Sequence, residues 1–198
     1  MEKINFLVVD TETGGLDCGR HSLLEIGAYL FNLSGEKIST YHAILSLDEA
    51  RANYDKKSSL YALKLNHHGT EGRNGEEVGH KSNRQIADEF VAWLLNVSRE
   101  YKPILVGQNI KFDIGFIDNF LLEHGYEEWS SIFGNNQVDT VAMAYHLQLC
   151  QKIKTTKLSL ANLASEFGIE NKKAHTALAD IDTTAQVFIK MLNLIKGD

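Results

Sequence analysis

The sequence has little of what marks secreted or membrane-embedded proteins. Its two cysteines, Cys18 and Cys150, are too few for a disulfide framework and have no metal-site spacing. No apolar run approaches the length of a membrane span, and the run beginning at Phe6 is too short for the core of a signal peptide. We therefore expect a cytoplasmic protein with reduced thiols and no membrane partner.

Positive charge is also in deficit. The chain has 20 lysines and arginines against 26 aspartates and glutamates, for a formal net charge of −6. This balance argues against a protein that coats nucleic acid through a broad basic face. It does not exclude an enzyme that grips a few nucleotides, because a bound metal ion changes the local sign of the charge.

Linkers, internal repeats and coiled-coil patterns are missing as well. The 198 residues, 43% of them hydrophobic, are an ordinary composition for one globular domain with a sizeable core. We therefore predict a single domain over residues 1–198.

The most informative segment is a short apolar run that ends in two carboxylates. Residues 6–9, Phe-Leu-Val-Val, are typical of a strand buried on both faces, and Asp10 and Glu12 follow directly. Side chains alternate along a strand, so both carboxylates are expected on one side. Like charges held together at a strand end repel unless a cation lies between them, which predicts a divalent metal site.

The remaining patterns predict a mixed sheet covered by helices. A three-stranded antiparallel meander is followed by a helical pattern, a glycine-rich loop, a further strand between helices, and a long C-terminal helix. Glu25, inside an apolar strand, is interpreted as a structural carboxyl that receives hydrogen bonds. The predicted strands are 6–10, 23–31, 37–46 and 104–106, and a short apolar piece ends at 138–139. The helical patterns are 58–65, 86–94, 112–120, 140–150, 158–167 and 178–195, and the loop is 66–83.

Further carboxylates that could complete a metal site lie near two predicted helix starts. Asp113 follows the strand ending at Gly107, where α/β proteins place ligand-binding groups, with Asn109 as the expected N-cap. Asp180 lies near the start of the last helix. His175 comes five residues earlier, so the two side chains could not share one helix face, and Thr176 as N-cap would leave His175 on the preceding loop.

Three segments together resemble the exonuclease motifs of the DnaQ-like, or DEDDh, 3′→5′ exonucleases. This family includes the proofreading subunit of bacterial replicative DNA polymerase. Gln108 stands where many members of the family have histidine, and Gly14 stands where the proofreading subunit has threonine. The matching segments, in family order, are Asp10-Thr11-Glu12-Thr13, Gly107-Gln108-Asn109-Ile110-Lys111-Phe112-Asp113 and His175-Thr176-Ala177-Leu178-Ala179-Asp180.

This resemblance implies an RNase H-like α/β fold with a central mixed five-stranded sheet, and two Mg²⁺ or Mn²⁺ ions. It makes Asp10, Glu12, Asp113 and Asp180 the metal ligands and His175 the general base. It further implies contacts with the 3′ end of the substrate by these residues: Thr11, Thr13, Gly14, Gly15, Leu16, Asn66, Asn109 and Phe112.

The predicted function is removal of nucleoside 5′-monophosphates from the 3′ end of single-stranded nucleic acid, with DNA favoured. An RNA exonuclease of the oligoribonuclease or RNase T type is the alternative within this class. A catalytically silent module that binds nucleic acid or a polymerase is the alternative outside it. A DNA polymerase is a possible partner, and no motif reports contact with a 2′-hydroxyl, which would separate RNA from DNA.

Overall fold

The computed structural model describes residues 4–45, 81–127, 129–170 and 176–197. The helical pattern 58–65, most of the predicted loop 66–83 including Asn66, and His175 lie outside these ranges. Within them the strands are β1 (Asn5–Thr13), β2 (Leu23–Asn32), β3 (Lys37–Ile44), β4 (Ile104–Gly107) and β5 (Gln137–Asp139). The helices are α1 (Asn83–Tyr101), α2 (Lys111–Glu123), α3 (Thr140–Leu149), α4 (Leu160–Glu166) and α5 (Ala177–Lys196), with a 3₁₀ turn at Trp129–Ile132.

The strands form one mixed sheet in the order β3-β2-β1-β4-β5. β1, β2 and β3 pair antiparallel, while β4 lies parallel to both β1 and β5. This confirms the predicted meander and the mixed five-stranded sheet. β1 is central, which explains why its first five residues are all buried.

Each face of the sheet has its own apolar core because side chains alternate along the strands. Leu7, Val9 and Ile26 lie on the face covered by α1 and α2. Phe6 and Val8 lie on the opposite face, against α5. The aromatic contacts there join Phe6 to Phe31 and Phe188, at ring-centroid distances of 5.3 and 4.8 Å. Asp10 and Glu12 continue the Phe6–Val8 series, so they belong to the α5 face.

The N-cap of α2 differs from the prediction. Asn109 adopts a left-handed backbone with φ of 57°, and Ile110 occupies the N-cap position without a side-chain cap. Asparagine tolerates this conformation better than most residues, and its N–H donates to Asp139 Oδ1 at 3.0 Å. Asn109 therefore shapes the turn between β4 and α2 instead of capping the helix.

Asp139 connects this turn to α3 through two hydrogen bonds. Its Oδ1 also accepts from the Val141 N–H at 2.8 Å, which makes Asp139 the N-cap of α3. Thr176 caps α5 as predicted, accepting from the Ala179 N–H at 3.1 Å. Among the described residues, no helix combines the length and apolar character that a bilayer crossing requires.

Replacing Asp139 with alanine should lower the free energy of unfolding by about 2 kcal/mol, because two backbone donors lose their acceptor. Urea denaturation would measure this. Asp139→Asn is the matched control, since asparagine caps helices about as well as aspartate and should cost less than about 0.5 kcal/mol. Equal losses in the two variants would mean that the charge, and not the capping, stabilises this corner.

Candidate metal centre

Three carboxylates meet at the carboxyl end of β1. Asp10 and Glu12 project from the same face of the strand, and Asp180 comes from the first turn of α5. One carboxylate oxygen of each lies within 4.8 Å of the others, and all three residues are half-buried. The strand alternation predicted the first pair, and the tertiary fold adds Asp180.

A glycine on β2 allows α5 to bring Asp180 so close. Gly27 lies directly opposite Asp10 in the β1–β2 register. A Cβ atom on Gly27 would lie 2.8 Å from the Ala177 carbonyl carbon and 2.9 Å from its Cβ. The first turn of α5 therefore rests directly on the backbone of β2. In the sequence, Gly27 lies inside an apolar strand pattern, and that pattern does not indicate the close approach of α5.

Asp113 reaches the same strand end from α2. It is 3% exposed, and its Oδ1 accepts from the Thr11 backbone N–H at 2.9 Å and from Thr11 Oγ1 at 2.8 Å. Thr11 lies between Asp10 and Glu12 in sequence, and its two hydrogen bonds anchor Asp113 next to them. Asp113 is outside the three-carboxylate cluster, but its charge acts on Asp10, so the four predicted acids share one region.

The crowded acids perturb one another's ionisation. Burial raises the pKa of Asp113 to about 7, an increase that the hydrogen bonds from Thr11 oppose and the charge of Asp139 reinforces. The pKa of Asp10 is raised well above its ordinary value, first by burial and then by the neighbouring charges of Asp113, Asp180, Glu12 and Glu25. Such repulsion makes this region receptive to a cation.

The donor set fits a hard divalent ion. Carboxylate oxygens are the ligands that Mg²⁺ and Mn²⁺ favour, whereas sites selective for softer metals use thiolate or imidazole. The two cysteines, one of them half-buried at position 18, are not in the carboxylate cluster. The acids that the structure brings together therefore suit the cations implied by the motif resemblance.

The loop after β1 forms an ordered rim beside these acids. Gly14 N–H donates to the Ser22 carbonyl, and Thr13 Oγ1 to the Gly15 carbonyl, both at 2.8 Å. Gly15 packs so tightly on His21 that a Cβ would lie 2.4 Å from that ring. The loop nevertheless presents Leu16 to solvent, 87% exposed. A large apolar side chain held out in this way is available to a ligand.

Two further predicted substrate residues, Asn109 and Phe112, lie at the junction between β4 and α2. Asn109 is exposed and Phe112 is half-buried, its ring 4.9 Å from that of Phe116. Gln108 is held inward, because its Nε2 donates to the Leu158 carbonyl at 2.7 Å and its Oε1 accepts from Thr140. The turn thus offers Asn109 and Phe112 to a ligand while Gln108 fixes the neighbouring loop.

The exonuclease family model RNase_T matches residues 7–188. The chain belongs to this exonuclease family. The match confirms the resemblance to DnaQ-like exonucleases, and it extends from β1 to the middle of α5.

Relatives of this chain include DNA polymerases. The PolC-type DNA polymerase III of Thermotoga petrophila is 26% identical over 196 residues, covering 98% of this chain and 12% of the polymerase. That of Staphylococcus haemolyticus is 29% identical over 202 residues, covering 99% and 12%. The chain therefore spans about one eighth of the length of these relatives.

Solved structures of exonuclease I share the fold. Escherichia coli exonuclease I in complex with a dA16 oligonucleotide matches with a TM-score of 0.73 at 18% identity, over 97% of this chain and 41% of that one. The zinc-bound form of its complex with single-stranded DNA gives 0.73 at 17%, over 98% and 41%. The RNase H-like α/β fold is thereby confirmed.

Gly27→Ala should displace α5 and move Asp180 away from Asp10. We expect a loss of about 2 kcal/mol in unfolding free energy from overpacking, together with weaker Mn²⁺ binding. Calorimetric titration with Mn²⁺ and urea denaturation measure the two effects. Adding Ala177→Gly removes one of the clashing atoms and should restore part of both; unaltered Mn²⁺ affinity in Gly27→Ala would contradict the proposed spacing.

The stability of the metal-free protein should fall as pH rises. The pKa of Asp113 is raised from 3.8 to about 7 in the folded protein. The folded state therefore binds protons more tightly than the unfolded state, and stability is lost between these values. Urea denaturation in EDTA at pH 5 and pH 7.5 would measure the loss.

Two comparisons test the origin of this pH dependence. Asp10→Asn should reduce the loss of stability between pH 5 and pH 7.5, because it removes one of the repelling charges. Saturating Mn²⁺ should suppress the loss in the unmodified protein. A metal-free protein whose stability is flat or rises over this range would contradict the expected repulsion.

Proposed function

We propose that residues 1–198 form one exonuclease domain that hydrolyses single-stranded DNA from its 3′ end and releases nucleoside 5′-monophosphates. The observation that carries this proposal is the convergence of Asp10, Glu12 and Asp180 at the end of β1, with Asp113 anchored beside them. A silent binding module would not need repelling carboxylates there, since they cost stability until a cation neutralises them.

The four acids would hold two divalent cations, Mg²⁺ or Mn²⁺. Such a pair of ions, when bound, activates the attacking water and stabilises the leaving oxygen of a phosphodiester. Asp10, Glu12 and Asp180 supply closely spaced oxygens, while Thr11 fixes the orientation of Asp113. The strand and the helix that carry Asp10, Glu12 and Asp180 thus fix those three ligands, and hydrogen bonds to Thr11 fix the buried Asp113.

His175 would act as the general base that takes the proton of the attacking water. It lies outside the described residues, and its support comes from the sequence. It directly precedes Thr176, the N-cap of the helix that carries Asp180. An imidazole with its ordinary pKa near 6.5 accepts a proton at neutral pH.

The substrate end would lie between the rim after β1 and the turn after β4. Thr11, Thr13, Gly14 and Gly15 would contact the terminal nucleotide through backbone groups, and the exposed Leu16 would pack against its base or sugar. Asn109, Phe112 and Asn66 would line the path of the preceding nucleotides. Phe112 offers a ring face for stacking, which tolerates any base.

Similarity to named proteins favours DNA over RNA. Relatives of this chain include PolC-type DNA polymerases, and two of the exonuclease I structures that share its fold contain DNA oligonucleotides. We therefore propose single-stranded DNA as the substrate and a DNA polymerase as a partner. Proofreading is the corresponding cellular role.

A 5′-labelled oligonucleotide tests the proposal. With Mg²⁺ or Mn²⁺ the label should appear in a ladder that shortens from the 3′ end, with single-stranded DNA cut faster than RNA or duplex DNA. Asp10→Ala should abolish the ladder, because one of the four proposed metal ligands is lost. His175→Ala should lower kcat by about 10²-fold or more.

The matched control is Asp182→Asn. Asp182 lies on α5 two residues beyond Asp180, but it is half-exposed and contacts Lys37 at 3.4 Å. Its replacement should leave the ladder unaltered. Absence of cleavage of every substrate with either metal would refute the enzyme, while faster cleavage of RNA would move the proposal to the exoribonuclease alternative.

A further inference from the structure

One further carboxylate lies beside the metal centre, on the neighbouring strand. Glu25 of β2 is directly opposite Glu12 of β1. Directly opposed residues of an antiparallel pair project from the same face of the sheet, so Glu25 shares the face of Asp10 and Glu12. It is 5% exposed. The function proposed above assigns it no role.

A histidine on the third strand holds this carboxylate. His42 of β3 is directly opposite Gly27, which places its side chain on the same face as Glu25. Its Nε2 lies 2.9 Å from Glu25 Oε1, and the imidazole donates because an ionised carboxylate only accepts. The side chain of Glu25 is 7% exposed and that of His42 28%, so the histidine closes the outer side of the pair.

A buried carboxylate at this position lowers the stability of the fold if its only role is to fill space. Amide or apolar side chains of similar size avoid both the desolvation cost and the repulsion from neighbouring acids. The charge of Glu25 does reach the site, since it contributes to the raised pKa of Asp10. The same charge that repels Asp10 attracts a cation bound there, because both interactions follow the Coulomb law with opposite sign.

We propose that Glu25, held by His42, is a positioning residue of the metal centre that strengthens cation binding through its charge. Its charge acts on the cation that Asp10 and Glu12 would hold, and Glu25 itself is not proposed as a ligand. This inference rests on the proposed function, because it requires those carboxylates to bind divalent cations. The sheet register keeps the extra charge one strand away from the proposed ligands.

Mn²⁺ titration by calorimetry on the full chain tests this role. Glu25→Gln keeps the shape and removes the charge, and should raise the Kd for Mn²⁺ about 10-fold. It should leave kcat at saturating Mn²⁺ unaltered and should not lower the melting temperature of the metal-free protein. Glu36→Gln, which removes an exposed charge on the turn between β2 and β3, should change none of these quantities.

A second variant keeps the carboxylate and removes its donor. His42→Asn should raise the Kd for Mn²⁺ by a smaller factor, and combining it with Glu25→Gln should weaken binding no further than Glu25→Gln alone. Additive effects would show that the two residues act separately and would overturn the pairing. This variant also tests the role if Glu25→Gln does not fold.

Two results separate the failure of this inference from that of the proposed function. Unmodified protein that binds Mn²⁺ with the same Kd as Glu25→Gln, the variant being only less stable, would make Glu25 structural and overturn the inference alone. Unmodified protein that binds no Mn²⁺ and cuts no oligonucleotide would overturn the proposed function, and this inference with it.

Discussion

Repulsion between carboxylates at the end of β1 is the constraint on which the rest of the structure depends. Asp10 and Glu12 cannot separate, because strand alternation fixes them on one face, and α5 adds Asp180. Charges gathered in this way are stable only where the surrounding fold is rigid enough to hold them. The central strand supplies that rigidity, with strands hydrogen-bonded on both sides and an apolar core on each face.

Contacts on both faces of the sheet hold these carboxylates in place. The aromatic cluster around Phe6 and Phe188 fixes α5 on the sheet, and Gly27 permits the close approach of its first turn. Thr11 binds Asp113 from the opposite side of the strand. The candidate metal centre is thus assembled from secondary-structure elements that pack on different faces of one sheet.

The loop after β1 and the turn after β4 would present different kinds of group to the proposed substrate. In the loop after β1 the Gly14 N–H and the Thr13 hydroxyl are engaged by other groups of the loop, while Leu16 faces outward. Gln108 is likewise engaged within the protein, and Asn109 and Phe112 border the surface. A terminal nucleotide would therefore meet backbone and apolar groups near the acids, with specific polar contacts confined to few positions.

Several features of the protein follow from the local pattern of its amino acids. Alternation placed Asp10 and Glu12 together, apolar periodicity located the strands and helices of the described ranges, and a hydroxyl side chain marked the cap at Thr176. Three other features arise from tertiary contacts: the left-handed turn at Asn109, the fit of Gly27 under α5 and the pairing of Glu25 with His42. These depend on contacts between segments far apart in the chain, and local propensity carries no information on which segments will meet.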